Sequence, residues 1–409
     1  MSADYKIEKI PGGGITSPRG FKAAGVYCGL KKDNGRNKDL AVIFSESPAV
    51  AAGTFTRNLF RAAPVEISQN RIGNPIRSVV VNSGNANACV GDAGYRDGEE
   101  MAALTAAKLD VPADAVLVAS TGVIGQRLPM ERIREGIALA VGKLSPAPEG
   151  GDDAARAILT TDKAEKKIAY RLQINGKTAT IGGMAKGSGM ICPDMATMLA
   201  FITTDISMPA GLLQKAFRQA VERSFNLVSV DGDTSTNDMA LILANGAADI
   251  TIDREDPEYE LFCTVLLQIC RELSYLIAAD GEGVTKVLAL TVKGAASFES
   301  ARVLARAVLN SLLVKTAFFG EDANWGRILA AMGYAGVSFD PQKTELFIGP
   351  IKVADGGRQA EFDEDVLSDY LKEKEISMTI DLHSGPEELR TWGNDLSYGY
   401  VKINSCYRS

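Results

Sequence analysis

Histidine is nearly missing from this chain of 409 residues, which has one, His383. Zinc sites built on two or three histidines are thereby excluded by count, and a Ser-His-Asp relay has a single candidate imidazole. That residue closes the alternating stretch Ser377-Met-Thr-Ile-Asp-Leu-His383 and reads as a strand residue with a hydrogen-bonding job. Cysteines are few and scattered: Cys28, Cys89, Cys192, Cys263, Cys270 and Cys406 form no C-x-x-C pair, so neither a zinc ribbon nor a dithiol redox motif is present. Cys263 and Cys270 fall in an apolar helical pattern and read as buried packing. A dense basic stripe is also missing. The formal charge is −7 and the basic residues are dispersed, which argues against a nucleic-acid partner. No run of 18 or more uncharged apolar residues occurs and the opening segment lacks a long apolar stretch, so no membrane span or secretory signal is predicted, and the cytoplasm is the expected location.

What is present is a chain 46% hydrophobic and 23% charged with 40 glycines and 15 prolines, the composition of a compact protein with many turns. Its length predicts two or three packed lobes. Buried strands are predicted at Leu40–Phe44, Ser78–Asn82, Ala115–Ala119 and 198–203, and helices at 98–109, 212–224, 258–279, 300–310 and 325–332. A loop is expected between the last two helices. Two stretches flanking Asn175-Gly176 form the clearest hairpin signal, because Asn-Gly supports a primed turn. Strand character is also expected at 158–161, 376–382 and 399–403. Alternation of strands and helices predicts an α/β or α+β layered fold.

The hairpin leads into Gly182-Gly-Met-Ala-Lys-Gly-Ser-Gly-Met190, a glycine-rich loop without the Walker spacing of a phosphate cradle. Thr197 follows shortly after, close to the next strand. With histidine so scarce, an enzyme here needs another base, and an N-terminal threonine supplies its own: a freed α-amine titrates near about 7.7–8.0 and lies beside the hydroxyl. Attack of the Thr197 hydroxyl on the Ala196 carbonyl, then hydrolysis of the ester, would create that amine. Gly187, Gly189 and Pro193 supply the unusual backbone such an approach requires. From the residues alone, a plain structural turn remains the alternative. Asp231 and Asp233 read as turn aspartates bonded to their own backbone, not as a metal site.

The segment from Gly182 through Pro193-Asp-Met-Ala-Thr-Met-Leu199 closely resembles the self-cleavage segment of the ornithine acetyltransferase family, the glutamate N-acetyltransferases and bifunctional arginine-biosynthesis proteins of the cyclic arginine pathway. Further blocks appear in the family order: Asn82–Ala88, Ser120-Thr-Gly-Val-Ile-Gly125, Thr160-Thr-Asp162, Asp231-Gly-Asp-Thr-Ser-Thr-Asn-Asp238, Asp280-Gly-Glu-Gly-Val-Thr-Lys286 and Tyr400–Ser409. Cys192, Asp194 and Cys406 depart mildly from the pattern without replacing a chemical group. The resemblance implies an αββα sandwich of the self-processing aminopeptidase and ornithine acetyltransferase type. It also implies cleavage into an α chain, 1–196, and a β chain, 197–409, assembled as α2β2.

The resemblance further implies acetyl transfer from N2-acetyl-L-ornithine to L-glutamate by a ping-pong route through acetyl-Thr197. Thr121 and Gly122 resemble the oxyanion pair. Thr160, with Thr161 as fallback, Lys186, Glu282, Asn404 and Ser409 resemble the substrate-binding residues. Gly281 and Gly283 flank Glu282, and such glycines permit close approach. No bound cofactor or metal is implied, and acetyl-coenzyme A is expected as a second donor on the resemblance alone. The competing readings are a self-processing amidase or aminopeptidase, in which water resolves the acyl-enzyme, and a non-catalytic amino-acid sensor that keeps an uncut chain.

Overall fold

The computed structural model describes residues 5–32, 34–35, 37–192 and 198–406. Nine strands form one hydrogen-bonded system. Its main path runs Lys6–Lys9, Lys166–Ile174, Lys177–Lys186, Leu199–Thr204, Met239–Ala244, Leu40–Phe55, Ile76–Asn85 and Val116–Val123, with Phe21–Val26 paired beside Leu40–Phe55. The 16-residue strand Leu40–Phe55 serves both halves. Residues Leu40–Phe44 pair with Phe21–Val26 and Ile76–Asn85, the register shifts between Phe44 and Ala49, and Val50–Phe55 pair with Met239–Ala244.

The bend lets the two halves pack face to face. Val79, Val81, Leu117 and Ala119 from one half meet Met184, Leu199, Phe201, Leu241 and Leu243 from the other in a single buried cluster. Because side chains alternate along a strand, the next residues face outward. Ala200, Ile202, Ala240 and Ile242 pack under the helices Ala210–Glu222 and Pro257–Ala279. Val42, Val80, Val116 and Val118 pack under Gly91–Leu109 and Met130–Gly142. The order of layers is helix, sheet, sheet, helix, as expected. Strands covered on both faces explain the continuous apolar runs.

A second lobe follows from Val287. Its six-stranded sheet has the order Arg358–Gln359, Ile351–Asp355, Glu345–Ile348, Glu375–Asp381, Val287–Ala295 and Glu387–Asn394. Helices Phe298–Asn310, Leu312–Phe319, Trp325–Gly333 and Glu364–Tyr370 cover it around a separate core. Tyr275 on the long helix meets Trp392 of this lobe edge to face at 6.0 Å. That helix, Pro257–Ala279, is long and apolar enough to cross a bilayer by length and composition, yet Phe262, Val265, Leu266, Ile269, Cys270 and Leu273 are buried against the sandwich. Cys263, on the same helix, is half-buried.

The Asn175-Gly176 turn forms as expected, with φ of 51° and 78° at its two central residues. Several local expectations are corrected. Residues 158–161 follow the helix Pro148–Ala157 as irregular chain and form no strand. The expected loop before Trp325 contains the helix Leu312–Phe319, capped by the Ser311 hydroxyl. Residues 399–403 lie in the helix Tyr398–Cys406, where the Ser397 hydroxyl accepts hydrogen bonds from the Gly399 and Tyr400 amides at 3.0 and 3.3 Å. His383 lies beyond the strand Glu375–Asp381 with φ 46°, where its Nε2 meets Glu345 Oε2 at 3.1 Å.

Candidate active site

Thr121 and Gly122 end a strand whose parallel partner supplies the asparagine-rich block, with Ser83 beside Thr121 and Gly84 beside Gly122. Gly122 has φ 129°, and a Cβ there would stand 2.4 Å from the Gly84 carbonyl carbon, so the crossing requires glycine. Buried amides fix the surroundings. The Asn82 side chain donates to Asn85 O at 2.9 Å and accepts from Ser120 Oγ at 2.5 Å. Asn237 donates to Ala86 O and Ser120 O at 2.6 and 2.8 Å, joining this turn to the segment that leads into Met239–Ala244 of the facing sheet. Buried side-chain amides that are fully used in this way make a turn rigid.

Lys186, at the end of its strand, is only 8% exposed and its Nζ lies 3.4 Å from Thr121 Oγ1. Burial lowers its pKa, opposed chiefly by the negative charge of Asp162 and reinforced by the neighbouring Lys166 ammonium. Asp162 is the centre of a buried network. It accepts from Lys166 Nζ and the Gly187 amide, both at 2.7 Å, and from the Thr160 amide at 3.0 Å, while Lys166 also pairs with Asp280 at 2.7 Å. Burial alone would raise the Asp162 carboxyl, but Lys166, Lys186 and the amide contacts overcome it and hold the group below the usual carboxylate range.

Glu282 enters from the loop after the long helix. Its amide donates to Ser188 O at 2.9 Å, and its carboxylate accepts from Asn404 Nδ2 at 2.7 Å. A Cβ on Gly189 would lie 2.4 Å from the Glu282 carboxylate, so glycine at that position lets the acid reach the loop. The third wall comes from residues 231–238. Asp231 accepts from the Met190 and Ile191 amides at 2.7 and 2.8 Å and from Tyr400 OH at 3.3 Å, which makes it a tie between the glycine-rich loop and the C-terminal helix. Its own-loop bond, from Asp233 N at 3.3 Å, is the longer one, so the turn reading covers only part of its role.

These parts enclose a cavity of about 210 Å³. Thr121, Gly122, Thr160, Thr161, Lys186, Glu282 and Asn404 all line it, and so do Met190, Ile191, Met198 and Leu199 on either side of the proposed junction. Thr160 and Thr161 share the wall because the chain there is not a strand. Ala196 and Thr197, with residues 193–195, and Ser409 lie outside the described residues. The sequence reading missed Asp238 and Tyr400 as cavity residues. Both stand in the quoted blocks, which was the only signal available. Among the described residues, the one cluster with metal-ligand chemistry is Glu345, Asp381 and His383 in the second lobe, where Lys352 and Lys293 already pair with the two carboxylates at 2.6 and 3.0 Å.

The profile of the ArgJ family matches residues 22–409. The chain belongs to the ArgJ family. It is 51% identical over 399 residues to the arginine biosynthesis bifunctional protein ArgJ of Symbiobacterium thermophilum, covering 97% of this chain and 99% of that one. Identity to the Bacillus subtilis protein of the same name is 44% over 410 residues, covering 100% and 99%. Among solved structures, an ornithine acetyltransferase from Mycobacterium tuberculosis, in complex with ornithine, is 43% identical over 47% of this chain and 100% of that chain, with a TM-score of 0.44.

Proposed function

We propose that this ArgJ-family chain transfers the acetyl group of N2-acetyl-L-ornithine to L-glutamate through an acetyl ester on Thr197, exposed by self-cleavage after Ala196. The observation that carries the reading is the convergence of Thr121, Gly122, Lys186, Glu282 and Asn404, from four distant parts of the sequence, on one cavity that Met198 also lines. Thr197 is bonded directly to Met198.

The Thr197 hydroxyl attacks the acetyl carbonyl while the α-amine of the same residue takes its proton. Charge developing on the carbonyl oxygen is met by the Thr121 hydroxyl and the Gly122 amide. Lys186 donates toward Thr121 Oγ1, which leaves the Thr121 hydrogen free for that oxygen. Ornithine leaves, glutamate enters, and its α-amine attacks the ester by the reverse path. Lys186 takes a substrate carboxylate and Glu282, held by Asn404, takes a substrate ammonium. Thr160, Thr161 and Ser409 supply hydroxyl contacts. Small amino acids are thus the partners. The cut chains 1–196 and 197–409 stay together as α2β2 in the cytoplasm, and acetyl-coenzyme A is a second acetyl donor.

Purified protein given acetylornithine and glutamate is expected to yield ornithine and N-acetylglutamate in equal amounts. Acetate matching the ornithine, with no N-acetylglutamate, would identify a hydrolase instead. Glutamate with acetyl-coenzyme A alone is expected to release free thiol and N-acetylglutamate, and no product in that arm removes the second donor.

A further inference from the structure

Asp238 lines the cavity and is 3% exposed, yet its Oδ2 has no hydrogen-bond partner among the described residues. The other acids of the cavity wall with described contacts are engaged: Asp231 by backbone amides, Glu282 by Asn404. Asp238 precedes the strand Met239–Ala244, which runs parallel to Leu199–Thr204, and Met239 N donates to Met198 O at 3.0 Å. The free carboxyl oxygen is therefore at the end of the sheet where Met198 enters the cavity. A buried polar atom left without a partner is costly, and such an atom in a cavity wall points to a ligand.

The acetyl exchange has a proton requirement that Thr197 alone does not meet. The amide nitrogen of acetylornithine carries one hydrogen and leaves, near neutral pH, as an ammonium with three. One of the two added protons comes from the Thr197 hydroxyl by way of its α-amine. The second needs another donor. In the reverse half, the glutamate α-ammonium must lose one proton before it can attack and another as the new amide forms. The latter returns to Thr197 Oγ, and the former needs an acceptor.

We propose that Asp238 is that donor and acceptor: its carboxyl protonates the departing α-nitrogen of ornithine, and the resulting carboxylate takes a proton from the entering α-ammonium of glutamate. The C–N bond of acetylornithine breaks as the nitrogen gains the Asp238 proton, and the C–N bond of acetylglutamate forms after that proton is restored, so each exchange leaves Asp238 as it began. Burial raises the Asp238 pKa well above the ordinary carboxylate range, opposed by the Lys186 charge and by bonds from Ser235. The other titratable groups around the cavity are Lys186, Asp231, Asp233, Glu282 and Tyr400. Lys186 donates toward Thr121 and, in the exchange reading, takes a substrate carboxylate, so its titration acts on donor binding and the rates are compared at saturating acetylornithine. Asp238 affects only donors and acceptors whose nitrogen must change protonation.

The inference rests on the acetyl-exchange reading, and its test separates the two. Single-turnover acetylation of the wild-type enzyme is measured across pH with acetylornithine and with p-nitrophenyl acetate, whose phenolate leaves without a proton. The ratio of the acetylornithine rate to the ester rate is expected to fall as pH rises and Asp238 loses its proton. In the processed Asp238→Asn enzyme, release of the acetyl group to glutamate is expected to drop about 10²–10⁴-fold. Release to hydroxylamine, an amine already neutral near pH 7, should drop far less. A ratio independent of pH, or an equal loss with both acceptors, overturns the assignment. Should Asp238→Asn not fold, the wild-type ratio decides. Failure of the wild-type enzyme to form an acetyl ester from either donor would instead refute the exchange reading.

Discussion

Lys186 is a charged side chain placed where water scarcely reaches, and an isolated buried ammonium is costly. The cost is offset by the Asp162 charge behind it, and Asp162 is itself fixed by Lys166 and by the Thr160 and Gly187 amides in the same wall. The arrangement points one buried cation at Thr121. Removing the Thr121 hydroxyl with Thr121→Ala is expected to lower kcat for acetyl transfer about 10²–10³-fold, the loss typical of one oxyanion donor. Thermal unfolding should be close to wild type, because Thr121 is only half-buried and lies at the cavity edge. Unchanged turnover in folded, processed protein would remove Thr121 from the mechanism.

At the scale of elements, the C-terminal helix Tyr398–Cys406 is the least embedded part of the site, with no buried residue of its own. Its position depends on a few polar ties: Ser397 caps its first amides and donates to Gly283 O at 2.5 Å, Tyr400 reaches Asp231, and Asn404 reaches Glu282. Ser397→Ala should cost about 1 kcal/mol of helix capping. The expected outcome is a raised KM for acetylornithine with kcat nearly unchanged, read from steady-state kinetics; a fall in kcat at constant KM would contradict it. This helix was illegible in the sequence because Tyr400-Val-Lys-Ile403 is short and rich in residues that favour strands, and a single capping serine is a weak start signal. Asp238 was equally hidden, since nothing in a turn-like Asp-Gly-Asp block tells a bonded carboxyl from a free one. By contrast, the Asn175-Gly176 hairpin and the helix opening at Pro257 were readable, because each depends on local backbone preferences that tertiary packing left unopposed. The layered fold and the described candidate residues were legible through the family resemblance. Their meeting in one cavity depends on strand order, which local pattern does not encode.

On the scale of the whole molecule, strands from before and after the proposed junction lie side by side within one sheet of the sandwich. Leu199–Thr204 and Met239–Ala244, both after Thr197, are flanked by Lys177–Lys186 on one side and Leu40–Phe55 on the other, both before it. Two fragments sharing a sheet in this way, with a common core between the layers, should separate only under denaturation. The most direct test of the central claim is therefore the denatured mass spectrum of purified protein before and after acetylornithine, with peptide mapping. The account predicts fragments ending at Ala196 and beginning at Thr197, one acetyl group gained on Thr197, and its loss when glutamate is added. A fully active protein that remains a single 43.5 kDa chain, or an acetyl group carried on another residue, would contradict it.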